Sequence, residues 1–357
     1  MLYYTIFSYE ETAANTISVG YSLCRANTDG TVQVLAENLN GQTVELNREE
    51  GSVIFSDTKS ALWCWTGSEL QPLSDRVGSV VDYGGGASVF YIEKVIDKTN
   101  PMQYFEDDMV AVDAIMTEPV EKDFMVETKN IWGKKKTVLD EKAYTAATTA
   151  YEAKLNRDNI RTAIAAQERS KTRYALYYNA GISKTMVDED IILVNVADAA
   201  NGVAVYTKER IPKPSQVKIS QVTDPADAIR IISAVRMTVV RDSYYVNIGR
   251  EPELFLSATE NERVLFELDA GRGLYYIKGD SNAPSGQLSY VSVQEDGLGV
   301  AKKLDDKVIN LTDISYRNQL LYTREGDNKE TVTICGVSGG TKSRLIDGLP
   351  IFPMPSI

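Results

Sequence analysis

A short pattern recurs along this chain at regular intervals and limits the fold more than any other feature. Two apolar residues enclose three residues that are mostly polar and often acidic; we call this pattern the bracket. From the end of a bracket to the next apolar-aromatic run, the steps from Val77 to Phe90, Ile191 to Val205 and Val308 to Leu321 are nearly equal. Short strands at a fixed period, separated by turns, predict a propeller, a barrel or a β-solenoid. The brackets are 35–39, 73–77, 187–191, 304–308 and 345–349.

Each repeat predicts one four-stranded blade, so the expected fold is mainly β: a β-propeller of about six blades, with seven as the alternative. The 357 residues, of which 43% are hydrophobic, suit a single closed propeller domain over residues 1–357. A propeller suppresses its open edges by pairing its chain ends. We therefore expect residues 2–8 and the last strands to share one sheet, or adjoining blades.

Two segments interrupt the repeat and are predicted to be helical insertions, at 96–173 and 212–240. In 140–170, apolar residues at helical spacing predict two amphipathic helices broken at Asn156-Arg157-Asp158, or one bent helix, packed outside the β structure. In the second segment, Thr223 or Asp224 would cap a helix that begins at Pro225. A further short helix is predicted to start at 106–108 and end near 116.

The chain contains no histidine, which excludes Ser-His-Asp and Cys-His catalysis and His-ligated zinc. The net charge of −12 disfavours nucleic acid and adsorption to an anionic membrane. Cys24, Cys64 and Cys335 are odd in number and far apart, so we expect buried thiols rather than disulfides or a metal site. Residues 84–86 and 339–343 lack the phosphate-loop signatures, and glycine's turn preference predicts a turn at 84–86.

No catalytic, ligand-binding or metal-ligating residue can be assigned, and no cofactor is expected. The acidic groups at 106–108, 188–190 and 305–306 lack the calcium-loop pattern, and the two that lie in brackets, 188–190 and 305–306, are predicted to be structural turns. Trp132, beside three lysines, could anchor a partner, but we favour a hairpin with the ring packed inward. Trp63 and Trp65 lie two apart on a strand and are predicted to pack in the core.

Three stretches resemble the TolB-like β-propeller ectodomains of bacterial surface proteins, a family of unknown function. They are Tyr177-Tyr178 to Tyr206-Thr207-Lys208, Tyr244-Tyr245-Val246-Asn247-Ile248-Gly249, and residues 274–322. More narrowly, they resemble the ectodomains of this kind that follow a zinc ribbon and a membrane helix in Gram-positive bacteria. The resemblance implies a cell-surface sensor or binding module and brings no catalytic residues with it.

We therefore expect a non-enzymatic, extracellular binding, interaction or sensor module with an unknown protein or glycan partner. Two alternatives stay open: a propeller-type glycan hydrolase or lyase that uses carboxylates, and a structural spacer. The abrupt start in a strand leads us to expect a fragment of a longer protein, tethered to a membrane by a segment outside this sequence. We expect a monomer that neither binds nucleic acid nor inserts into a membrane.

Overall fold

The structure is a computed structural model, and it describes residues 2–11, 17–47, 51–86, 88–105, 116–181, 183–211, 215–269, 272–314, 319–326, 328 and 331–350. Within these ranges the fold is mainly β, as the sequence predicts. The chain divides into two compact units. The first comprises Met1–Ile96, Thr172–Arg210 and Val240–Ile357, and the second Asp97–Lys171 and Ile211–Val239. The blade count and the assignment of one propeller domain with insertions stay predictions.

The described part of the first unit contains three antiparallel sheets. Sheet I has the order β1 (Leu2–Glu11), β2 (Ile17–Ala26), β3 (Val32–Asn47), β4 (Ser52–Asp57), β5 (Leu62–Trp65) and β6 (Leu70–Ser74). Sheet II contains β7 (Ser79–Gly85), β8 (Ser88–Lys98), β11 (Ser170–Ala180), β12 (Ser183–Asp198), β13 (Val203–Arg210), β14 (Val240–Asn247) and β15 (Glu253–Thr259), neighbours in that order. Sheet III contains β16 (Glu262–Leu268), β17 (Gly273–Asp280), β18 (Gly286–Gln294), β20 (Lys302–Ile314), β21 (Gln319–Glu325), β22 (Thr331–Ser338) and β23 (Thr341–Pro350), while β19 (Gly297–Leu298) pairs with β18.

All five brackets adopt one local geometry, in which the bracket advances three residues while its partner strand advances two. Ile191 pairs with Tyr174, and Asp188 pairs with Leu176. The other four brackets repeat this offset. In the bracket 73–77, Ser74 faces Leu62, and a 2.7 Å backbone hydrogen bond joins Val77 to Ser60. In the remaining three, Leu39 and Ala36 face Tyr21 and Leu23, Val308 and Asp305 face Gly286 and Leu288, and Leu349 and Ile346 face Val332 and Ile334. The sequence repeat is therefore a structural repeat.

The bracket is a β-bulge rather than the turn predicted from its acidic residues. Four brackets lie inside the continuous strands β3, β12, β20 and β23, and the fifth ends β6. One extra residue is accommodated by a left-handed backbone at Asp190 and at Lys307, each with φ of 58°. The bulge bends the strand, so β12 pairs with β11 before it and with β13 after it.

Sheet II is buried on both faces where its strands carry short continuous apolar runs, as in the first half of β8 and in β13. Val89 and Tyr91 of β8 pack with Ile54 and Cys64 of sheet I. Phe90, between them, belongs to the cluster on the opposite face. Further along, a cluster of three residues from sheet II and three from sheet III joins those sheets: Val203, Val205, Tyr245, Phe266, Leu274 and Val291.

The cysteines singled out in the sequence lie as expected, and the glycines lie in or beside turns. Cys24, Cys64 and Cys335 are buried, and none of the three forms a disulfide. The turn predicted at 84–86 is found only at Gly86, because Gly84 and Gly85 still belong to β7; Gly85 and Gly86 have positive φ. Gly339 and Gly340, also with positive φ, form the turn between β22 and β23. Trp65 is in the sheet I core, with Trp63 packed against the same cluster.

The terminal strands do not share a sheet. β1 pairs with β2 at the edge of sheet I, and β23 pairs with β22 at the edge of sheet III. The one-sheet form of the predicted ring closure is therefore wrong, because each terminal strand is hydrogen-bonded to its own sequence neighbour. Adjoining blades stay a prediction. The helix predicted near 106–116 lies largely outside the described residues, as does the Pro212-Lys213-Pro214 connector.

The second unit contains α1 (Glu141–Ala165), α2 (Pro225–Arg236) and a ribbon of β9 (Met125–Lys129) with β10 (Lys135–Leu139). α1 is one continuous helix, so the predicted break at Asn156-Arg157-Asp158 is wrong. Asp158 instead pairs with Lys154 at 2.6 Å, an i,i+4 ion pair inside the helix. The second helix is confirmed: Asp224 caps it by accepting a hydrogen bond from the backbone N–H of Ala226, and Pro225 occupies its first turn.

We expect the contact between α1 and α2 to be sensitive to small losses of volume. Ile160 and Ile164 of α1 pack with Ile232 of α2, which is fully buried. Ile232→Val should lower the free energy of unfolding by about 1 kcal/mol, because a buried methylene is removed from a packed core. Ile229→Val, on the 39% exposed neighbour, should change it by far less. Equal effects in urea unfolding would contradict this packing.

Candidate functional site

The ribbon of β9 and β10 ends in a closed, hydrogen-bonded turn. The backbone N–H of Asn130 donates to the carbonyl of Lys134 at 2.9 Å. The Asn130 side chain in turn accepts hydrogen bonds from the N–H groups of Trp132 and Lys134, at 3.0 and 2.9 Å. Gly133 supplies the positive φ of 74° that such a turn requires. These hydrogen bonds hold the backbone of the turn in one conformation, and so they fix the positions of Ile131 and Trp132 within it.

Both of those side chains lie in solvent. Ile131 is 95% exposed and Trp132 is 81% exposed. The prediction that Trp132 packs inward is thus wrong, because a two-stranded ribbon has no second layer to cover its tip, and every residue of β9 is exposed. Two large, adjacent apolar side chains held in water on an ordered turn indicate a contact surface.

The other end of the ribbon is anchored. The backbone N–H of Asp140 donates to the carbonyl of Phe124 at 2.9 Å, and the Phe124 ring meets Tyr144 of α1 edge-on at 5.5 Å. Asp140 also caps α1 by accepting a hydrogen bond from the N–H of Ala143. The ribbon therefore has a packed base and an uncovered tip.

Four lysines surround the tip: Lys129, Lys134, Lys135 and Lys136, all exposed. Lys135 forms an ion pair with Glu127 at 2.9 Å. Lys129 and Lys135 are direct cross-strand partners. Directly opposed like charges destabilise a sheet, so this pairing gives the ribbon no stability of its own. We call residues 129–136 the hairpin tip.

Two aspartates in each of the brackets 187–191 and 304–308 form hydrogen bonds or ion pairs with other side chains of the protein. Asp188 accepts hydrogen bonds from the hydroxyl of Tyr206 at 2.6 Å and from the ammonium of Lys208 at 3.0 Å. Asp305 accepts one from the hydroxyl of Tyr322 at 2.8 Å, and Arg324 lies 3.7 Å away. Asp190 and Asp306, which follow, pair with Arg173 and Lys303. The described ranges contain no cluster of three metal-ligating side chains.

Burial and hydrogen bonding shift the pKa values of these pairs in opposite directions. Burial raises the pKa of the Tyr322 hydroxyl, and the neighbouring Asp305 carboxylate raises it further. Burial also opposes ionisation of Asp305. The hydrogen bonds from Tyr322 and from the N–H of Asp306, with Arg324 and Lys342, outweigh that and hold the pKa of Asp305 below its usual value. The pair is therefore a neutral phenol donating to a carboxylate.

Two further carboxylates are buried and paired. Asp242 accepts hydrogen bonds from Arg210 and from the hydroxyl of Ser257 at 2.6 Å. Glu93 accepts hydrogen bonds from Ser74 at 2.8 Å and from Lys184 at 3.0 Å. No local sequence pattern predicts either pairing, because the partners lie 15 to 91 residues away along the chain.

A polar groove of about 430 Å³ lies where β16, β17 and β18 begin or end, with Tyr276 the aromatic residue in its lining. Lys278 spans it, pairing with Glu262 at 2.9 Å and donating to the carbonyl of Ser257 at 2.9 Å. Hydrogen bonds and ion pairing from Thr259 and Lys278 lower the pKa of Glu262. The residues that line the groove are Asn261, Glu262, Tyr276, Lys278, Gly279, Asp280 and Gln287.

These shifts predict a stability plateau around neutral pH. Asp305 and Asp242 have folded-state pKa values below the usual 3.8, so their stabilisation is present above that value and is lost as the pH falls through the folded pKa. Tyr275 has its pKa raised by burial to about 12, so its contribution is present below pH 10 and is lost as the pH rises towards 12. With no histidine, urea unfolding should give constant stability from about pH 6 to 8. A step inside that window would contradict this prediction.

The comparisons with known proteins give weak similarities only. No protein-family model and no curated protein matches the chain. Among solved structures, the dipeptidyl peptidase 4 of Porphyromonas gingivalis is similar with a TM-score of 0.45 and 10% identity, over 96% of this chain and 46% of that one. An oligogalacturonate lyase in complex with manganese gives 0.38 and 11%, over 92% and 71%. A protein from Lactobacillus plantarum gives 0.28 and 10%, over 98% and 97%.

The chain therefore spans less than half the length of the peptidase, and scores at this level carry no argument about activity. No helix in the described ranges is long and apolar enough to cross a bilayer. A functional assignment therefore depends on the geometry of the chain itself. Among the described residues, the hairpin tip is the most distinctive surface.

Proposed function

We propose that this protein is a non-enzymatic binding module that contacts its partner through the hairpin tip. The observation that carries the proposal is the pair Ile131 and Trp132, 95% and 81% exposed on a turn held by Asn130. Trp is enriched among residues that dominate binding energy, and a preorganised turn lowers the entropy lost on binding.

The scaffold that we propose for this module is a six-bladed, TolB-like β-propeller at the cell surface. Once Asp97–Lys171 is left out, three of the four steps between bracket ends are 38 to 41 residues, which is a usual length for a propeller blade. The step from Ile191 to Val308 is 88 residues once Ile211–Val239 is also left out, which is about two such lengths. The long strands β3, β12 and β20 each pair with one neighbour before the bracket and another after it. That divides each of the three sheets into two groups of three or four strands, which supports six blades.

The alternative of a carboxylate-dependent hydrolase or lyase has less support. Such an enzyme needs a general acid whose pKa is raised. Hydrogen bonds and ion pairs instead lower the pKa of six carboxyl groups among the described residues: Asp29, Asp57, Asp158, Asp242, Glu262 and Asp305. The spacer alternative gives no reason for an exposed Ile131 and Trp132.

Site-specific photo-crosslinking tests the binding proposal. A benzophenone amino acid is placed at position 132 and, as a matched control, at Val300, which is also 95% exposed in the first unit. The proteins are irradiated on bacterial cell envelopes. We expect saturable crosslinks from position 132 that unlabelled wild-type protein competes away and the double variant Ile131→Ser/Trp132→Ser does not. Equal crosslinking from positions 132 and 300, or turnover of a glycan panel, would overturn the proposal.

A further inference from the structure

We propose that the partner of the hairpin tip is an anionic lipid membrane, on whose surface the tip docks. This inference rests on the proposed binding function and names its partner. Ile131 and Trp132 would lie at the boundary between headgroups and acyl chains, where Trp is favoured because its ring is apolar and its N–H is polar. The lysines would lie at the level of the headgroups.

The shape of the tip favours a lipid surface over a folded protein. Ile131 and Trp132 are adjacent on a convex turn, and the strand behind them, β9, is exposed at every residue. A protein partner would need a matching pocket and would meet a rim of further side chains around the apolar centre. A membrane interface deforms around a convex element and needs no rim.

The charges of the tip are complementary to an anionic surface. Lys129, Lys134 and Lys136 are exposed and enter no ion pair among the described residues, while Lys135 pairs with Glu127. Because Lys129 and Lys135 are placed directly opposite each other, their repulsion is relieved when anions bind between or beside them. Lysine side chains of this length also let an apolar stem lie along a membrane while the ammonium stays in water.

The net charge of −12 does not oppose this contact. Strands of five residues extend for about 16 Å, which separates the tip from the base of the ribbon. The Debye length at physiological ionic strength is about 8 Å, so charges at or beyond the base are largely screened at the tip. A membrane therefore senses the lysines of the tip rather than the charge of the whole chain.

The test uses the full chain and sedimentation with vesicles of phosphatidylcholine, with or without 30% phosphatidylglycerol. We expect binding to the anionic vesicles that is at least ~10-fold stronger than to the neutral ones and that weakens as salt is added. Trp132 fluorescence should shift to shorter wavelength on binding. Ile131→Ser/Trp132→Ser and the triple Lys129, Lys134, Lys136→Gln variant should each lose at least ~10-fold in affinity.

Two control variants match these changes elsewhere on the chain. Val300→Ser/Met237→Ser removes apolar side chains that are 95% and 74% exposed, and Lys94, Lys142, Lys302→Gln removes the same charge from exposed lysines. Both should bind like the wild type, and circular dichroism checks that all four variants fold. Equal binding to both kinds of vesicle, or equal losses in tip and control variants, would overturn the proposal.

The lipid proposal and the binding proposal fail in different ways. Absence of binding to anionic vesicles overturns the lipid surface as partner, and crosslinks from position 132 to a protein would then identify an acidic protein instead. Absence of both vesicle binding and site-specific crosslinks would overturn the binding function as well.

Discussion

Replacing Asp305 by Ala should lower the free energy of unfolding by about 3 kcal/mol or more, the largest single effect we expect in this chain. Asp305 is 9% exposed, and its two oxygens accept hydrogen bonds from Tyr322 and from the N–H of Asp306. Removing it leaves the Tyr322 hydroxyl buried without its acceptor and Arg324 without its counter-charge. Breaking a buried pair by removing one partner is costly, because the other stays uncompensated. Urea unfolding measures the loss.

Asp306 provides the matched control, since its side chain is 59% exposed and its ion pair with Lys303 is on the surface. Asp306→Ala should change stability by less than about 1 kcal/mol. Asp305→Asn should have an intermediate effect, because the amide oxygen can still accept from Tyr322 while the charge is lost. If Asp305→Ala and Asp306→Ala had equal effects, the pairing of Asp305 would contribute nothing.

The first repeat suggests a rescue. At the positions of Asp305 and Tyr322 it carries Ala36 and Phe55, which pack in one cluster. The third repeat has the polar pair Asp188 and Tyr206. The tyrosine hydroxyl thus occurs in the repeats that also have an aspartate to accept its hydrogen bond. The first repeat has neither the hydroxyl nor the carboxylate. The double variant Asp305→Ala/Tyr322→Phe should therefore recover about half of the loss caused by Asp305→Ala, since no buried hydroxyl is left without a partner. Failure to recover any stability would show that the tyrosine hydroxyl is not what makes the single variant unstable.

The repeat could be read from the sequence, but the bulge could not. Equal intervals between apolar residues are visible in one dimension, and all five brackets that they mark adopt one geometry. The bulge depends on which residue of the neighbouring strand each bracket faces. Tyr174 facing Ile191, for example, is fixed by packing between strands and not by local propensity. Local propensity therefore predicts turns at the acidic residues, because Asp is common in turns, whereas Asp190 has a left-handed backbone inside a strand.

The sequence does not predict the solvent exposure of a single residue either. The sequence around Trp132 predicts a hairpin correctly, because Asn130 and Gly133 are typical turn residues. Whether the ring is covered depends on a second layer, and a hairpin sequence is the same with or without one. The continuous helix α1 shows a related limit: Asn156-Arg157-Asp158 has cap-forming residues, but the Lys154–Asp158 pair and packing of Ile160 keep the helix intact.

The absence of histidine follows from composition alone and excludes histidine-dependent chemistry without any structural information. The buried carboxylates show the opposite case. Glu93 and Lys184 are 91 residues apart, and no local pattern marks either as paired. Only the fold brings them together, with the Lys184 ammonium also 4.2 Å from the ring centre of Tyr177. Pairs between residues this far apart in the chain depend on the register of the strands, which the sequence alone does not predict.

Gly84→Ala is the second substitution for which we expect a large effect, about 2 to 3 kcal/mol of lost stability. Gly84 lies in β7, beside the turn that joins β12 to β13. A Cβ atom built there would lie 2.2 Å from the backbone nitrogen of Ala200 and 2.6 Å from the carbonyl carbon of Ala199. Both neighbours are backbone atoms, so no side-chain rotation relieves the overlap, and the strand or the turn has to move.

Movement of that turn is opposed by a second contact. The carboxylate of Asp82, two residues before Gly84, accepts a hydrogen bond of 2.6 Å from the backbone N–H of Ala199. Displacing the turn to admit a methyl group would stretch this bond, so the steric and polar costs add. Gly336→Ala is the matched control, because its Cβ would meet only the side chains of Ser343 and Leu345 within 3.4 Å, and these can rotate. We expect it to cost less than about 1 kcal/mol. If both alanine variants unfolded at the same urea concentration, β7 and the turn between β12 and β13 would not be in the close backbone contact from which this prediction is argued.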